Sequence, residues 1–205
     1  TRWFVSNPAN TPKFSAACYF FGRKLYNSRE VPQGLIQASY GGSRIEDWMS
    51  AASLAKDPDF AASVADIANG RYPQNAFYPT SLFNGMISPL LPYPLRGIVW
   101  YQGESNVELP VQYRRLLSNM ITDWRSRLGI DDVPFLLVQL PKYTKQQTQP
   151  SQDYGWVRLR EAQLQTSKTL PGVGLPVTID TGRSDTVHPP DKKDVGDRLA
   201  ILARG

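Results

Sequence analysis

Apolar residues early in the chain fall at Phe14, Cys18, Phe21 and Leu25, the three- and four-residue spacing that gives a helix one buried face. The spacing predicts a helix over residues 14–26, with Cys18 as a small core residue. Gly34-Leu-Ile-Gln-Ala-Ser39 follows as a short strand ending in Gly41-Gly42, and Ser43 is positioned to cap a helix carrying Ile45, Trp48 and Met49. A second helix is expected over residues 59–69, stopped by Gly70. Residues 72–94 are broken by Pro73, Pro79, Pro89, Pro92 and Pro94, leaving room for one short helix around 82–87.

Gly97-Ile-Val-Trp-Tyr101 reads as a strand, and the polar Gln102-Gly-Glu-Ser-Asn106 after it as a turn. Pro110 suits a first helical turn, and Tyr113, Leu117, Met120 and Trp124 mark the apolar face of the most regular helix in the chain. Pro134-Phe-Leu-Leu-Val138 has the character of a buried strand and Val177-Thr-Ile-Asp180 that of a weaker one, each followed by a helix, over 156–167 and 191–204. Residues 142–155, rich in Gln, Thr and Ser, read as a surface loop. Strands alternating with helices argue an α/β fold with a mainly parallel sheet covered on both faces. No repeat or linker divides the chain, so residues 1–205 read as a single domain.

Composition narrows the function classes. With 41% apolar and 20% charged residues the chain is ordinary globular material. Its net charge of +5 comes from 23 basic and 18 acidic residues, and the basic ones run no further than doublets such as Arg114-Arg115 and Lys192-Lys193. That scatter argues against a nucleic-acid partner, which needs a concentrated basic stripe. No apolar run approaches the ~20 residues of a membrane span, so no membrane partner is expected. One Cys and one His rule out an intrachain disulfide and a zinc site of several Cys or His ligands. Any chemistry that needs an imidazole must use His188. The chain opens on Thr1-Arg2-Trp3-Phe4 without an initiator Met, which reads as an internal piece of something longer.

In a parallel sheet, ligands gather at the carboxyl ends of the strands. Three polar clusters are expected there: Ser39-Tyr-Gly-Gly-Ser43, Gln102-Gly-Glu-Ser-Asn106, and Asp180 through Asp185-Thr-Val-His188-Pro189. Asp185 and His188 are three apart, so one turn would set the carboxylate against one imidazole nitrogen and leave the other as a general base. By spacing alone the pair is equally a helix-entry loop with Asp185 as a local cap. A metal site through Asp185, His188 and Asp191 matches no recognised ligand spacing, and neither metal nor cofactor is expected. Two serines approach the G-x-S-x-G elbow: Ser39 has Gly41 after it but Gln37 before it, and Ser105 has Gly103 before it but Val107 after it. Both broken patterns favour turn serines bonded to nearby backbone.

Taken together, Gly34-Leu-Ile-Gln-Ala-Ser-Tyr-Gly-Gly-Ser-Arg-Ile-Glu-Asp-Trp-Met49, Arg96-Gly-Ile-Val-Trp-Tyr-Gln-Gly-Glu-Ser-Asn106, Asp185-Thr-Val-His-Pro189 and Lys193-Asp-Val-Gly-Asp-Arg-Leu199 resemble the blocks of the sialate O-acetylesterase family, a branch of the SGNH (GDSL-like) esterases related to acetylxylan esterases. Phe14-Ser-Ala, Asp123-Trp-Arg125 and Leu159-Arg-Glu-Ala-Gln163 are similar to it as well, in order along nearly the whole chain. The resemblance implies a three-layer α/β/α sandwich of flavodoxin-like type and removal of O-acetyl groups from a sugar by a Ser-His-Asp triad. His188 would be the base and Asp185 its orienting partner. Gln102 would offer a side-chain donor to the oxyanion, and Gly42 or Gly41 a backbone N–H. Glu104 and Asn106 would hold their loop by hydrogen bonds to the backbone, with direct substrate contact as the alternative.

The sequence departs from the family at the nucleophile, which members carry in a Gly-Gln-Ser-Asn-Met block after the first strand. No such block occurs here, and the nearest pair is Ser6-Asn7. The expectation is therefore a domain truncated at its N-terminus and at its C-terminus, lacking the first strand, with the serine supplied by that missing segment or by a partner chain. Two classes stand side by side: an esterase core acting on an acetylated sugar or glycan, with sialate or acetylxylan specificity, and a non-catalytic acetyl-sugar binding module. The resemblance further implies a secreted, periplasmic or lysosomal setting.

Overall fold

A computed structural model describes residues 3–74, 78–91, 93–145, 148–149 and 154–204. Ser15 caps the first helix, α1 (Ala16–Arg29), by accepting the Cys18 N–H. Ser50 does the same for the short α2 (Ala51–Leu54) through the Ser53 N–H, and α3 (Ala61–Ala68) gives way to Gly70 at φ +77. Pro110 opens the long α4 (Pro110–Leu128), which a left-handed Gly129 closes. The remaining helices are α5 (Gly155–Thr169) and α6 (Lys192–Leu202), the latter capped by Asp191, which accepts the Asp194 N–H. Among the described residues no helix is long and apolar enough to cross a membrane. Residues 146–147 and 150–153 of the expected surface loop lie outside the described residues.

Three strands, β1 (Ile98–Trp100), β2 (Phe135–Leu137) and β3 (Val173–Gly174), form a parallel sheet in that order, with Ile98 opposite Phe135 and Phe135 opposite Val173. Because side chains alternate along a strand, the sheet sorts its residues between two apolar layers. Trp100, Phe135 and Leu137 join Leu116, Leu117 and Met120 of α4 and Leu159 of α5 on one face. Leu136 and Val138 join Ala17 of α1 and Val195 and Leu199 of α6 on the other. The result is a sheet between two helical layers. In the larger core Trp100 meets Trp48 and Trp124 edge to face, at centroid distances of 6.1 and 5.8 Å.

Four expectations are corrected. Residues 31–40 form no regular element and pair with no strand among the described residues, and the edge of β1 away from β2 has no partner there either, so the run 34–39 has no ladder to join. The third strand lies at Val173–Gly174 rather than 177–180; Ile179–Thr181 is a 3-10 turn, anchored by Thr178 Oγ1 donating to the Gln139 carbonyl. Ser43 does not cap a helix: Ile45–Trp48 is a single 3-10 turn entered from Arg44, whose N–H is held by Asp47 Oδ2 at 2.9 Å. Finally, α1 buries Ala17 and Gly22 rather than the stripe through Phe14, Cys18, Phe21 and Leu25. The reason is close backbone packing: a Cβ on Gly196 of α6 would stand 2.6 Å from Phe20 Cβ and Phe21 N and 2.8 Å from the Ala17 carbonyl, and a Cβ on Gly22 would stand 2.6 Å from Leu35 Cδ1. Cys18 is left half-buried, and burial pushes its thiol up to about 11.

Candidate functional site

The turn after β1 is shaped by Gly103, whose φ of +151 is open to glycine and strained for other residues. It turns the chain so that Gln102 and Asn106 face the 42–48 segment. Gln102 Nε2 donates to the Ser43 carbonyl (3.1 Å) and to Asn106 Oδ1 (2.8 Å). Asn106 is buried; its Oδ1 also accepts the Ile45 N–H at 3.0 Å, and its Nδ2 donates to Glu46 Oε2 at 3.1 Å. Backbone fixes the orientation of both amides. Ile45 N–H demands an oxygen from Asn106, and flipping Gln102 would set its oxygen against two acceptors. Gln102 Oε1 is buried and accepts no hydrogen bond among the described residues.

Below this pair, the Gln102 carbonyl accepts the Tyr113 hydroxyl at 3.1 Å and Gln163 Nε2 at 3.4 Å. Gln163, fully buried, also donates to the Val138 carbonyl (3.1 Å) and accepts the Leu140 N–H (3.0 Å), so it fastens the exit of β2 to the exit of β1. Beside Gln102, Ser105 Oγ donates to the Gly42 carbonyl at 3.1 Å, and Trp48 Nε1 donates to Ser43 Oγ at 2.9 Å. Gly41 and Gly42 are exposed, and neither N–H donates a hydrogen bond among the described residues. Two backbone donors are thus available beside Gln102, whose own Nε2 protons are both committed. To serve an oxyanion, Gln102 must exchange one of those two bonds.

Glu104 opens the 3-10 turn Glu104–Asn106. Burial raises its carboxyl above the ordinary range, opposed by nearby backbone N–H groups and by the charges of Lys192 and His188, which places all three side chains in one electrostatic neighbourhood. Lys192 Nζ donates to the Tyr101 hydroxyl at 3.2 Å and stands 4.8 Å from that ring's centroid. Burial lowers the Lys192 ammonium and raises the Tyr101 phenol.

His188 sits on the exposed loop before α6, where its N–H donates to Thr186 Oγ1 at 3.0 Å. The Asp185 carboxylate is engaged by Arg183, whose Nε and Nη2 each donate at 3.1 Å. Among the described residues no hydrogen bond joins Asp185 to His188, and none joins His188 to a serine: Ser39 Oγ accepts from Gln37 Nε2 at 2.9 Å, and Ser105 is held by Gly42. No group of three His, Cys, Asp or Glu side chains there is arranged to hold a metal. The structure therefore gathers Gln102, Asn106 and the Gly41-Gly42 turn into one bonded unit, sets Glu104 within the field of His188, and leaves Asp185 with Arg183. Glu46, Tyr113 and Gln163 escaped the sequence reading as members of this unit. Polar residues inside apolar stretches, as Gln163 is between Ala162 and Leu164, were the signal that could have found them.

Residues 5–202 match the family described as carbohydrate esterase, sialic acid-specific acetylesterase. The chain belongs to that family. The sialate O-acetylesterases of Homo sapiens and Pongo abelii are each 34% identical to it over 211 residues, covering 93% of this chain and 38% of theirs. A crystal structure of a carbohydrate acetylesterase from Xanthomonas citri superposes with a TM-score of 0.83 at 39% identity, covering 98% of this chain and 43% of that one. The chain thus spans less than half the length of these relatives. A protein from Arabidopsis thaliana, at 18% identity and a TM-score of 0.52, shares the fold.

Proposed function

We propose that this chain is the core of a carbohydrate O-acetylesterase, hydrolysing acetyl esters on a sugar of the sialate type through a serine carried outside these 205 residues. In this reading the serine Oγ attacks the ester carbonyl carbon and its proton passes to His188. Gly42 or Gly41, with Gln102, meets the negative charge that develops on the carbonyl oxygen. Collapse of the tetrahedral adduct breaks the bond to the sugar oxygen, which takes the proton from His188. Water then releases acetate by the same steps in reverse roles. Asp185 would swing from Arg183 to orient the imidazole and stabilise its charged form.

The observation that carries the reading is the unit around Gln102. A buried Asn106, a buried Gln163 and the Tyr113 hydroxyl fix the exit of β1 beside two unbonded glycine N–H groups, and such preorganisation is what an oxyanion site needs. The edge of β1 that has no partner among the described residues supports a further strand there as the carrier of the serine. Family membership and the activity named for the relatives agree with this assignment.

The test is hydrolysis of 9-O-acetylated sialic acid and of p-nitrophenyl acetate by the longer protein that contains the chain. His188→Ala is expected to reduce kcat on both by at least about 10³-fold, and Asp185→Asn by a comparable factor. Unchanged turnover in His188→Ala would remove the triad assignment. The pairing of Asp185 with Arg183 favours one competing reading, an acetyl-sugar binding module without turnover. That reading predicts binding of the acetylated sugar with no acetate release from the longer protein.

A further inference from the structure

A cleft of about 790 Å³ lies between the chain leaving β2, the start of α5 and the loop that leads to His188. Among the described residues four cationic side chains line it, Lys142, Lys145, Arg160 and Arg183, against the one carboxylate of Asp185. Arg183 neutralises Asp185, so the excess charge belongs to the other three. Arg160 is half-buried, and burial lowers the affinity of its guanidinium for the proton. Its one hydrogen bond among the described residues is a long one, 3.4 Å from Nη1 to the Pro141 carbonyl, and that oxygen already accepts Trp156 Nε1 at 2.6 Å. Among the described residues no carboxylate pairs with it; a partly desolvated cation gains from such a partner, and the guanidinium fork matches a carboxylate's two oxygens. Tyr143, tilted against Trp156 at a centroid distance of 5.1 Å, and Tyr154 give the cleft aromatic walls.

We propose that this cleft binds the carboxylate of an acidic sugar, with Arg160 as the principal contact and Lys145 and Lys142 supplying further positive charge. The proposal rests on the esterase reading for its choice of ligand, and it gives that reading a basis for selecting acidic over neutral acetylated sugars. Asp185 lines the cleft and precedes His188 by three residues, which places the proposed carboxylate site next to the proposed base along the chain.

Binding needs no turnover, so the experiment is calorimetric titration of the longer protein that contains the chain with N-acetylneuraminic acid, its neutral methyl ester, glucuronic acid and acetate at low salt. The acid is expected to bind at least about 10-fold more tightly than the ester, and Arg160→Gln to abolish the difference. Lys145→Gln should reduce the preference in part. Glucuronic acid binding as well as N-acetylneuraminic acid supports recognition through the carboxylate alone, and weaker binding supports added contacts to the larger sugar. Equal binding of acid and ester, no binding of either, free acetate binding as tightly as the sugar acid, or a preference that survives Arg160→Gln would each overturn the proposal. A thermal melt checks that the variant folds, and Arg160→Lys, which keeps the charge without the fork, should lie between wild type and Arg160→Gln. Hydrolysis of p-nitrophenyl acetate by the longer protein and its His188→Ala variant judges the esterase reading separately.

Discussion

Gln102 Nε2 donates to Asn106 Oδ1 at 2.8 Å, and the same oxygen accepts the Ile45 N–H, so one buried amide ties the exit of β1 to the segment 61 residues earlier. Asn106→Ala would leave a buried N–H without an acceptor, Glu46 without its donor and Gln102 free to turn. Its loss should destabilise the fold by about 2–4 kcal/mol in urea titrations. Asn106→Asp, almost the same shape, sets a second carboxylate against Glu46, so its destabilisation should shrink as the pH is lowered from 7 to 4.

Gly103 is expected to tolerate no side chain. Besides its φ of +151, a Cβ there would stand 2.6 Å from Leu159 Cδ2, a fully buried side chain. Gly103→Ala should lower stability by about 2–4 kcal/mol through strain and overpacking. Combining it with Leu159→Ala should recover only the steric part, so a double mutant as stable as Leu159→Ala alone would count against the backbone argument.

Asp47 makes the fold pH-sensitive. Burial pushes its carboxyl up to about 6, reinforced by the neighbouring charge of Glu46, and the Arg44 N–H offsets this in part. The unfolded group titrates near about 3.9, so between these values the folded chain keeps a proton that the unfolded chain has lost, and stability falls as the pH rises through that window. Asp47→Asn keeps an oxygen for Arg44 N–H and removes the ionisation. It should stabilise the protein by about 1–3 kcal/mol at pH 8 and by almost nothing at pH 3, read from melts across the range.

Ser39 and Ser105 provide a negative control for the nucleophile. Their hydroxyls are engaged locally, and neither touches His188. Ser39→Ala and Ser105→Ala in the longer protein should each keep turnover of p-nitrophenyl acetate within about threefold of wild type, against the several decades lost on removal of a triad nucleophile. A collapse of activity in either variant would make that serine the nucleophile.

The elements that sequence spacing identified are those whose stabilising contacts are local or strongly periodic. Pro110, Tyr113, Leu117, Met120 and Trp124 announce α4 because a helix repeats its own apolar face. The strand at 135–137 was legible because it is buried on both faces and apolar throughout. The run 34–39 has equally good strand composition but no strand partner among the described residues, and no local pattern reports whether such a partner exists. In the same way Gln102 and Asn106 were visible as a polar cluster after a strand, whereas their partners Ser43 and Glu46 lie some 60 residues away along the chain. The pairing of Asp185 with Arg183 turns on which of two reachable partners the carboxylate faces, a choice that spacing leaves undetermined.

The contact between α1 and α6 joins helices separated by more than 160 residues, and Gly196 lets them touch backbone to backbone. During synthesis α1 leaves the ribosome before the sheet and the helices of the opposite layer, and finds its mate only when α6 emerges after them. From the emergence of β2 until then the face bearing Leu136 and Val138 lacks the cover of Val195 and Leu199, so the nascent chain carries a sticky surface over that interval and closes it in a long-range step.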